Sequence, residues 1–281
     1  YEIRNCDWSS DVCSSDLKSE DAEKGARRAA HTTGLVVEAG GRKIALYANG
    51  TRHAGENLDE LLTTRNAGLE PPIQMADALA ANWSGKTKTI EAKCLAHARR
   101  KFVEIEAIFP AECGVVLDAI AKVYKAESET AGMSGGERLA HHQAVSGPVM
   151  RELREWMETQ LSARKVEPNG ALGQAIRYML KHWAGLTRFL SEAKAPLDNN
   201  PAERALKRAV LLRKNALFYK NDHGAMVGAI LQSVIETCRL NEVNAWEYLL
   251  ALTRNAREAR RNPEAFLPWS YARGEPEREA A

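Results

Sequence analysis

Two runs rich in alternating apolar and β-branched residues, TTGLVVEAG and RKIALYANG, flank Gly40-Gly41 and predict a β-hairpin across 32–50. The period then changes. GENLDELLTTR sets Leu58, Leu61 and Leu62 at helical spacing and predicts a helix ending near Gly68. PPIQMADAL follows two prolines and reads as a short buried strand ending at Asp77. TKTIEAKCLAH reads as a second short strand running straight into a basic helix with Arg99, Arg100 and Lys101.

From Phe102 to Leu190 the pattern is almost wholly helical. ECGVVLDAIAKVYKAE is amphipathic, with Val116, Ile120 and Val123 in step. A long helix over 137–163 is expected to break at Ser146-Gly147-Pro148, because proline lacks an amide donor. LGQAIRYMLKHWAGLTRFL carries a broad apolar face, on which Trp and Tyr read as core. Asp198 or Asn199 can cap the next helix and Pro201 suits its first turn. That helix turns basic residues outward. NALFYK reads as a short extended break, and two further helices follow within 224–261. The sum is α/β with a helical insertion, with too few strands for a doubly wound sheet.

Residues 1–17, YEIRNCDWSSDVCSSDL, follow neither period. Back-translated, Trp8–Leu17 reads TGG AGT TCA GAC GTG TGC TCT TCC GAT CT, which resembles the end of a short-read sequencing adapter. Tyr1 to Ile3 fit its outer part and Ile3 to Cys6 a barcode. The stretch is therefore read as a translated adapter, disordered and outside the fold, with native protein expected to have continued upstream of Lys18. Residues 18–31 read as a linker remnant and 272–281 as a polar tail.

Composition changes this picture little. The chain is 44% hydrophobic, ordinary for a globular protein, and has no apolar run long enough to span a bilayer. Beyond the first 17 residues the cysteines are Cys94, Cys113 and Cys238, odd in number and widely spaced, which points to a reducing cytosol. Cys94 and His97 have metal-ligand spacing, but no second pair matches them.

Charge matters more. The net charge is only +2, yet Arg204, Lys207, Arg208, Arg213, Lys214 and Lys220 cluster on one stretch, and Arg254, Arg257, Arg260 and Arg261 on another. Such patches suit a polyanion, and equally a solvated helix face. Asp77, at the end of an apolar strand, is either a metal ligand or a cap for the residues after it. Glu203 lies in a first helical turn, where the macrodipole favours an acid, but its basic neighbours also suit a metal meeting a phosphate backbone. His97, before Arg99 and Arg100, could grip phosphate or act on a leaving group. His141, His142 and His182 look isolated. There is no phosphate-cradling glycine loop and no nucleophile elbow. A carboxylate-pair glycosidase is disfavoured by the arginines around Glu203.

Three stretches then stand out: CLAHARRKF at 94–102, APLDNNPAERALKRAVLLRKNALFYK at 195–220, and SVIETCRLNEVNAWEYL at 233–249. They resemble the transposases of the insertion sequence 66 group, and TTGLVV, RHAGENLDELL and PPIQMADAL resemble one branch of it. The likeness runs from about Thr32 to Tyr271. Leu95 stands where relatives often have Trp, and Lys207 where Arg is common.

The resemblance implies a ribonuclease-H-like core (32–102 and 193–271) holding a large all-helical insertion (103–192) and a C-terminal helical cluster. It implies an Asp-Asp-Glu triad with Asp77 as second acid and Glu203 as third, both binding Mg²⁺ or Mn²⁺. DNA contacts would be His97, Arg99, Arg100, Arg204, Lys207, Arg208, Arg213, Lys214 and Asn215. The expected partner is double-stranded DNA, both transposon ends and target, in a homo-oligomer within the bacterial cytoplasm and nucleoid, with no membrane. No strand for a first acid is visible in 18–31, so the chain is expected to be a truncated and inactive core fragment. The alternative is a non-catalytic helical DNA-binding or scaffold domain.

Overall fold

The computed structural model describes residues 2–8, 31–66, 68–216, 219 and 221–271. Along the chain these form β1 (Glu2–Trp8), β2 (His31–Ala39), β3 (Arg42–Gly50), α1 (Ala54–Thr63), β4 (Ile73–Ala76), β5 (Ile90–Lys93), α2 (Leu95–Val103) and α3 (Pro110–Ser128). Then come α4 (Gly135–Ser162), α5 (Ala171–Lys181), α6 (Trp183–Leu186), α7 (Asn200–Ala216), α8 (Asp222–Leu240), α9 (Ala245–Arg254), α10 (Ala256–Arg261) and α11 (Pro268–Tyr271). The architecture is α/β with helix dominant. The linker expected over 18–31 lies outside the described residues except His31, which opens β2; residue 1, residues 9–17 and the tail over 272–281 lie outside them as well. Of the extended break expected over 215–220, Asn215 and Ala216 instead continue α7, and 217, 218 and 220 lie outside the described residues.

Two compact units divide the chain, one built from β1–β3, α1 and the chain from Pro201 onward, the other from Asn66–Asn200. In the first, the strand order is β3-β2-β1. β2 and β3 pair antiparallel from His31↔Gly50 to Ala39↔Arg42. Gly40 and Gly41 close the hairpin at φ 58° and 75°, the left-handed pair that a two-residue turn requires. β1 differs from the sequence reading, which left residues 2–8 unstructured. A stretch needs only extended backbone groups to fill the open edge of β2, and Ile3, Cys6 and Trp8 suit a strand.

The helix α7 lies on this hairpin through small residues: Ala202, Ala205, Leu206 and Ala209 are buried with Val36, Ala45 and Tyr47. The approach is close. A Cβ on Gly34 would sit 3.3 Å from Leu206 Cδ1, and the Tyr47 hydroxyl donates to the Ala205 carbonyl at 2.7 Å.

The outer edge of β3 is covered by α8 in an unusual way. Ser233, Thr237 and Asn241, four residues apart, meet the backbone of Tyr47, Ala45 and Lys43, two residues apart. Ser233 Oγ accepts from Tyr47 N at 2.9 Å, Thr237 Oγ1 from Ala45 N at 3.1 Å and Asn241 Oδ1 from Lys43 N at 3.3 Å. Thr237 and Asn241 also donate to the carbonyls of Ala45 and Lys43. The spacing works because four helical residues rise ~6.0 Å and two strand residues ~6.6 Å. Polar side chains thus stand in for a neighbouring strand. Thr237→Val keeps the shape and strips both bonds from a buried Ala45, so urea unfolding should show a loss of about 1–3 kcal/mol.

The second unit pairs β4 and β5 in parallel, Ile73↔Ile90 to Ala76↔Lys93, beside a helical core. Phe102, Cys113, Ile120, Met150, Met157, Ile176, Met179 and Phe189 are among its buried residues. Helix α4 runs 28 residues without the expected break, and Pro148 lies inside it. Proline removes one backbone bond, but a capping box at Ser134 and Glu137 starts the helix, and Met150, Leu153 and Met157 bury its later half. The helix expected over 172–190 does divide, ending at Lys181 and resuming as the short α6.

Candidate functional site

Asp77 follows a strand whose four residues are all buried. Its Oδ1 accepts from Leu79 N at 3.0 Å and from Asn82 Nδ2 at 2.6 Å, so the carboxylate closes the loop that leads into Asn82. Gln74, buried one turn of chain earlier, donates to the Asn82 carbonyl at 2.8 Å and anchors the same loop from below. The capping role foreseen for Asp77 is not realised: the short helical turn over Ala80–Asn82 starts from Leu79 without a side-chain cap, and Asp77 instead holds the loop before it. Beside it, the Lys93 ammonium stands 3.1 Å from His182 Nδ1 and over the Trp83 ring, and Lys101 lies over the Tyr178 ring. Burial, then the charges of Lys93, Lys181 and Lys101, hold His182 below its usual value. Burial first, and Asp77 next, push the Tyr178 hydroxyl up to about 12.

His182 is thus not isolated, and neither is His142. The fully buried His142 ring lies 2.6 Å from Glu127 Oε2 through Nε2 and 2.9 Å from Ser146 Oγ through Nδ1. Ser146–His142–Glu127 has the order of an acyl-transfer triad. Ser146 is itself buried on α4, so the line braces the helix core and presents no nucleophile.

The helix α2 buries Leu95, Ala98 and Phe102 and turns Arg99 and Arg100 to solvent, with His97 half-buried between the two faces. Its first amide, Leu95 N, donates to the Leu197 carbonyl at 2.9 Å, which brings the Asp198 run alongside. Asp198 Oδ1 accepts from Asn200 N at 3.0 Å at the start of α7, and its Oδ2 accepts from the Tyr124 hydroxyl at 3.0 Å. Asn199 is wholly buried, and neither polar atom of its amide has a hydrogen-bond partner among the described residues. Cys94 and His97 belong to no cluster of three possible metal ligands among the described residues.

On α7 the buried positions 202, 205, 206 and 209 leave Arg204, Lys207 and Arg208 exposed, with Glu203 half-buried in the first turn. Asn215 is exposed further along; the side chains of Arg213 and Lys214 lie outside the described ones. Asp77, His97, Arg99 and Arg100 belong to the second unit, and Glu203 through Asn215 to the first. Sequence reading missed Glu236. It is 2% exposed, accepts from Arg239 Nε at 3.0 Å, and faces Arg208 Nε at 3.5 Å. The three-residue spacing of Glu236 and Arg239 on a helix was the available signal.

The chain belongs to the Transposase IS66 family, whose sequence profile matches residues 17–227. Three relatives in Sinorhizobium fredii (strain NBRC 101917 / NGR234) are described as uncharacterized proteins y4jD, y4hP and y4qI. They are 34%, 33% and 31% identical to it over 183, 203 and 193 residues, covering 63%, 64% and 67% of this chain. The chain spans 35% of the length of each of these relatives. No solved structure matches it. No described helix is long and apolar enough to cross a membrane.

Proposed function

We propose that this chain carries part of the catalytic core of a DNA transposase, an enzyme that cleaves and rejoins phosphodiester strands, in a ribonuclease-H-like frame. The observation that carries the reading is the Asp198–Arg204 run, matched by the family, which opens α7 with Glu203 in its first turn and Arg204, Lys207 and Arg208 exposed. The buried Asn199 amide supports it, because an unpartnered buried polar group calls for an explanation beyond a helix start. On this reading Asp77 is the second acid and Glu203 the third, with the first left unassigned.

Mg²⁺, or Mn²⁺, is the cofactor such chemistry calls for, since hard carboxylate oxygens hold it and it supplies charge where a phosphodiester is displaced. The described residues do not make up its site by themselves: no three His, Cys, Asp or Glu side chains come together among them. The chain's own contribution is to hold DNA. Arg99 and Arg100 on α2, and Arg204, Lys207 and Arg208 on α7, neutralise backbone phosphates. Arg213, Lys214 and Asn215 extend that row, and His97 precedes the α2 pair. Transposon ends and target are the partners, and two ends held at once call for more than one subunit, in the bacterial cytoplasm.

The hydrogen bonds that tie Asp77 into its own loop favour a second reading: a DNA-binding domain without catalysis. The test is a chimera in which this chain replaces the matching stretch of full-length y4jD. Strand transfer of a labelled DNA end in Mg²⁺ is expected, with Asp77→Asn and Glu203→Gln each reducing it to background while DNA affinity holds. Transfer that survives either substitution removes that residue from the triad. DNA binding without any transfer leaves the second reading standing.

A further inference from the structure

Beyond the acids and the exposed arginines, the first unit holds a pocket of about 240 Å³ where α7 begins and α8 ends beside the β2–β3 hairpin. At ~30 Å³ per water, it has room for a hydrated phosphate group. Three of its walls are cationic: Lys43 from β3, Arg204 from α7 and Arg239 from α8. Glu38 is the acid on its rim, 3.9 Å from the Lys43 ammonium at a half-exposed position.

Two of the cations have fixed anchors, Lys43 through its backbone and the exposed Arg239 through its guanidinium. The Lys43 backbone is clamped on both sides by Asn241, which accepts from its N–H at 3.3 Å and donates to its carbonyl at 2.6 Å. Arg239 lies against Glu236 through Nε, at 3.1 and 3.0 Å from the two carboxylate oxygens. Glu236 is 2% exposed and is shared with Arg208 on the neighbouring helix. A carboxylate enclosed to that degree loses its hydration, so its pairing with the arginines does little more than offset that cost. What it does supply is a fixed orientation for a guanidinium.

We propose that Lys43, Arg204 and Arg239 bind one phosphate of the DNA backbone in this pocket, and that Glu236 is a positioning residue that fixes Arg239 there. The inference rests on the DNA reading above and adds Lys43, Arg239 and Glu236 to it. The phosphate meets a planar guanidinium already held in place, so less side-chain freedom is lost on binding. Arg204 reaches the pocket from the first turns of α7, one residue past Glu203.

The experiment measures binding of the full chain to a fluorescent 30-base-pair duplex of arbitrary sequence between 50 and 200 mM salt, with melting curves for every variant. Lys43→Gln, at a half-buried position, and Arg239→Gln, at an exposed one, are each expected to weaken binding roughly three- to tenfold and lower the salt slope by ~1. Glu236→Gln decides the positioning role by its sign. Removing a negative charge beside a polyanion should tighten binding if charge alone counts; loss of the brace should weaken it. Unchanged affinity and slope in both Lys43→Gln and Arg239→Gln overturn the pocket even if the Glu236 variant fails to fold. Tighter binding by a folded Glu236→Gln overturns the positioning role. If inorganic phosphate raises the melting temperature of the parent but not of Arg239→Gln, with DNA affinity equal in both, the ligand is free phosphate and the DNA assignment falls. A parent that does not bind the duplex at 50 mM salt overturns the DNA reading itself, and the pocket with it.

Discussion

Phe102→Ala is expected to cost about 3–5 kcal/mol of folding stability. Phe102 is 0% exposed and closes the buried face of α2 that begins with Leu95 and Ala98. It belongs to one apolar cluster with Cys113, Ile120, Met150, Ile176 and Met179, and α2 packs on α3 and α5, so an alanine leaves a void in that core. Val103, the next residue, is 40% exposed and gives the control. Val103→Ala should shift the urea midpoint by no more than ~0.5 kcal/mol equivalent. Equal effects at the two positions would mean that α2 does not pack on this face. The helix also presents Arg99 and Arg100, so on the proposed DNA-binding role affinity for DNA should fall with stability in the Phe102 variant and hold in the Val103 variant.

His142→Ala is the second large effect, about 3–4 kcal/mol at neutral pH, because it removes a buried ring, strands the buried Ser146 hydroxyl and takes one hydrogen bond from Glu127. The ring packs edge-on against Phe189, with centroids 5.0 Å apart. Its loss also frees Glu127 from a bond that matters for titration. Burial pushes the Glu127 carboxyl up, but hydrogen bonds from His142 and Arg138 outweigh burial and hold it below its ordinary 4.5. A carboxyl with a lowered folded value stabilises fully above its unfolded value and loses that contribution as pH falls through the folded one. The parent should therefore lose stability below about pH 4.5 more steeply than His142→Ala. Urea midpoints taken from pH 7 to pH 3 read this directly. Parallel curves would show that the pair contributes packing and no charge.

Much of the frame was legible because local chemistry announced it. Gly40-Gly41 could only be a turn, Pro71-Pro72 marked the entry to β4, and Asp198 with Pro201 marked the start of α7. Other features were decided by packing that no short window contains. Pro148 reads as a breaker, yet one lost backbone bond is outweighed by the buried stripe of a 28-residue helix. The division at His182 has no glycine or proline to signal it. Three residues on, α6 packs closely on β5, where a Cβ on Gly185 would lie 2.7 Å from Lys93 Cγ. Among candidate site residues, Asp77 and Glu203 could be placed on their elements from pattern alone. Glu236 could not, because its worth lies in Arg208, 28 residues earlier on another helix. Residues 2–8 show the converse: weak sequence preference, and a strand set by the open edge beside it.

The side-chain ladder between α8 and β3 has a consequence for synthesis. Ala45 and Thr237 are 192 residues apart, so β3 leaves the ribosome long before the helix that covers it. At ~5–20 residues per second the edge stays bare for roughly 10–40 s in every nascent chain. During that interval β3 is a template for any passing strand, including the β3 of a neighbouring chain on the same message. Yield in the cell should therefore depend on how fast translation reaches Asn241, and slow codons between Gly50 and Asp222 should lower it.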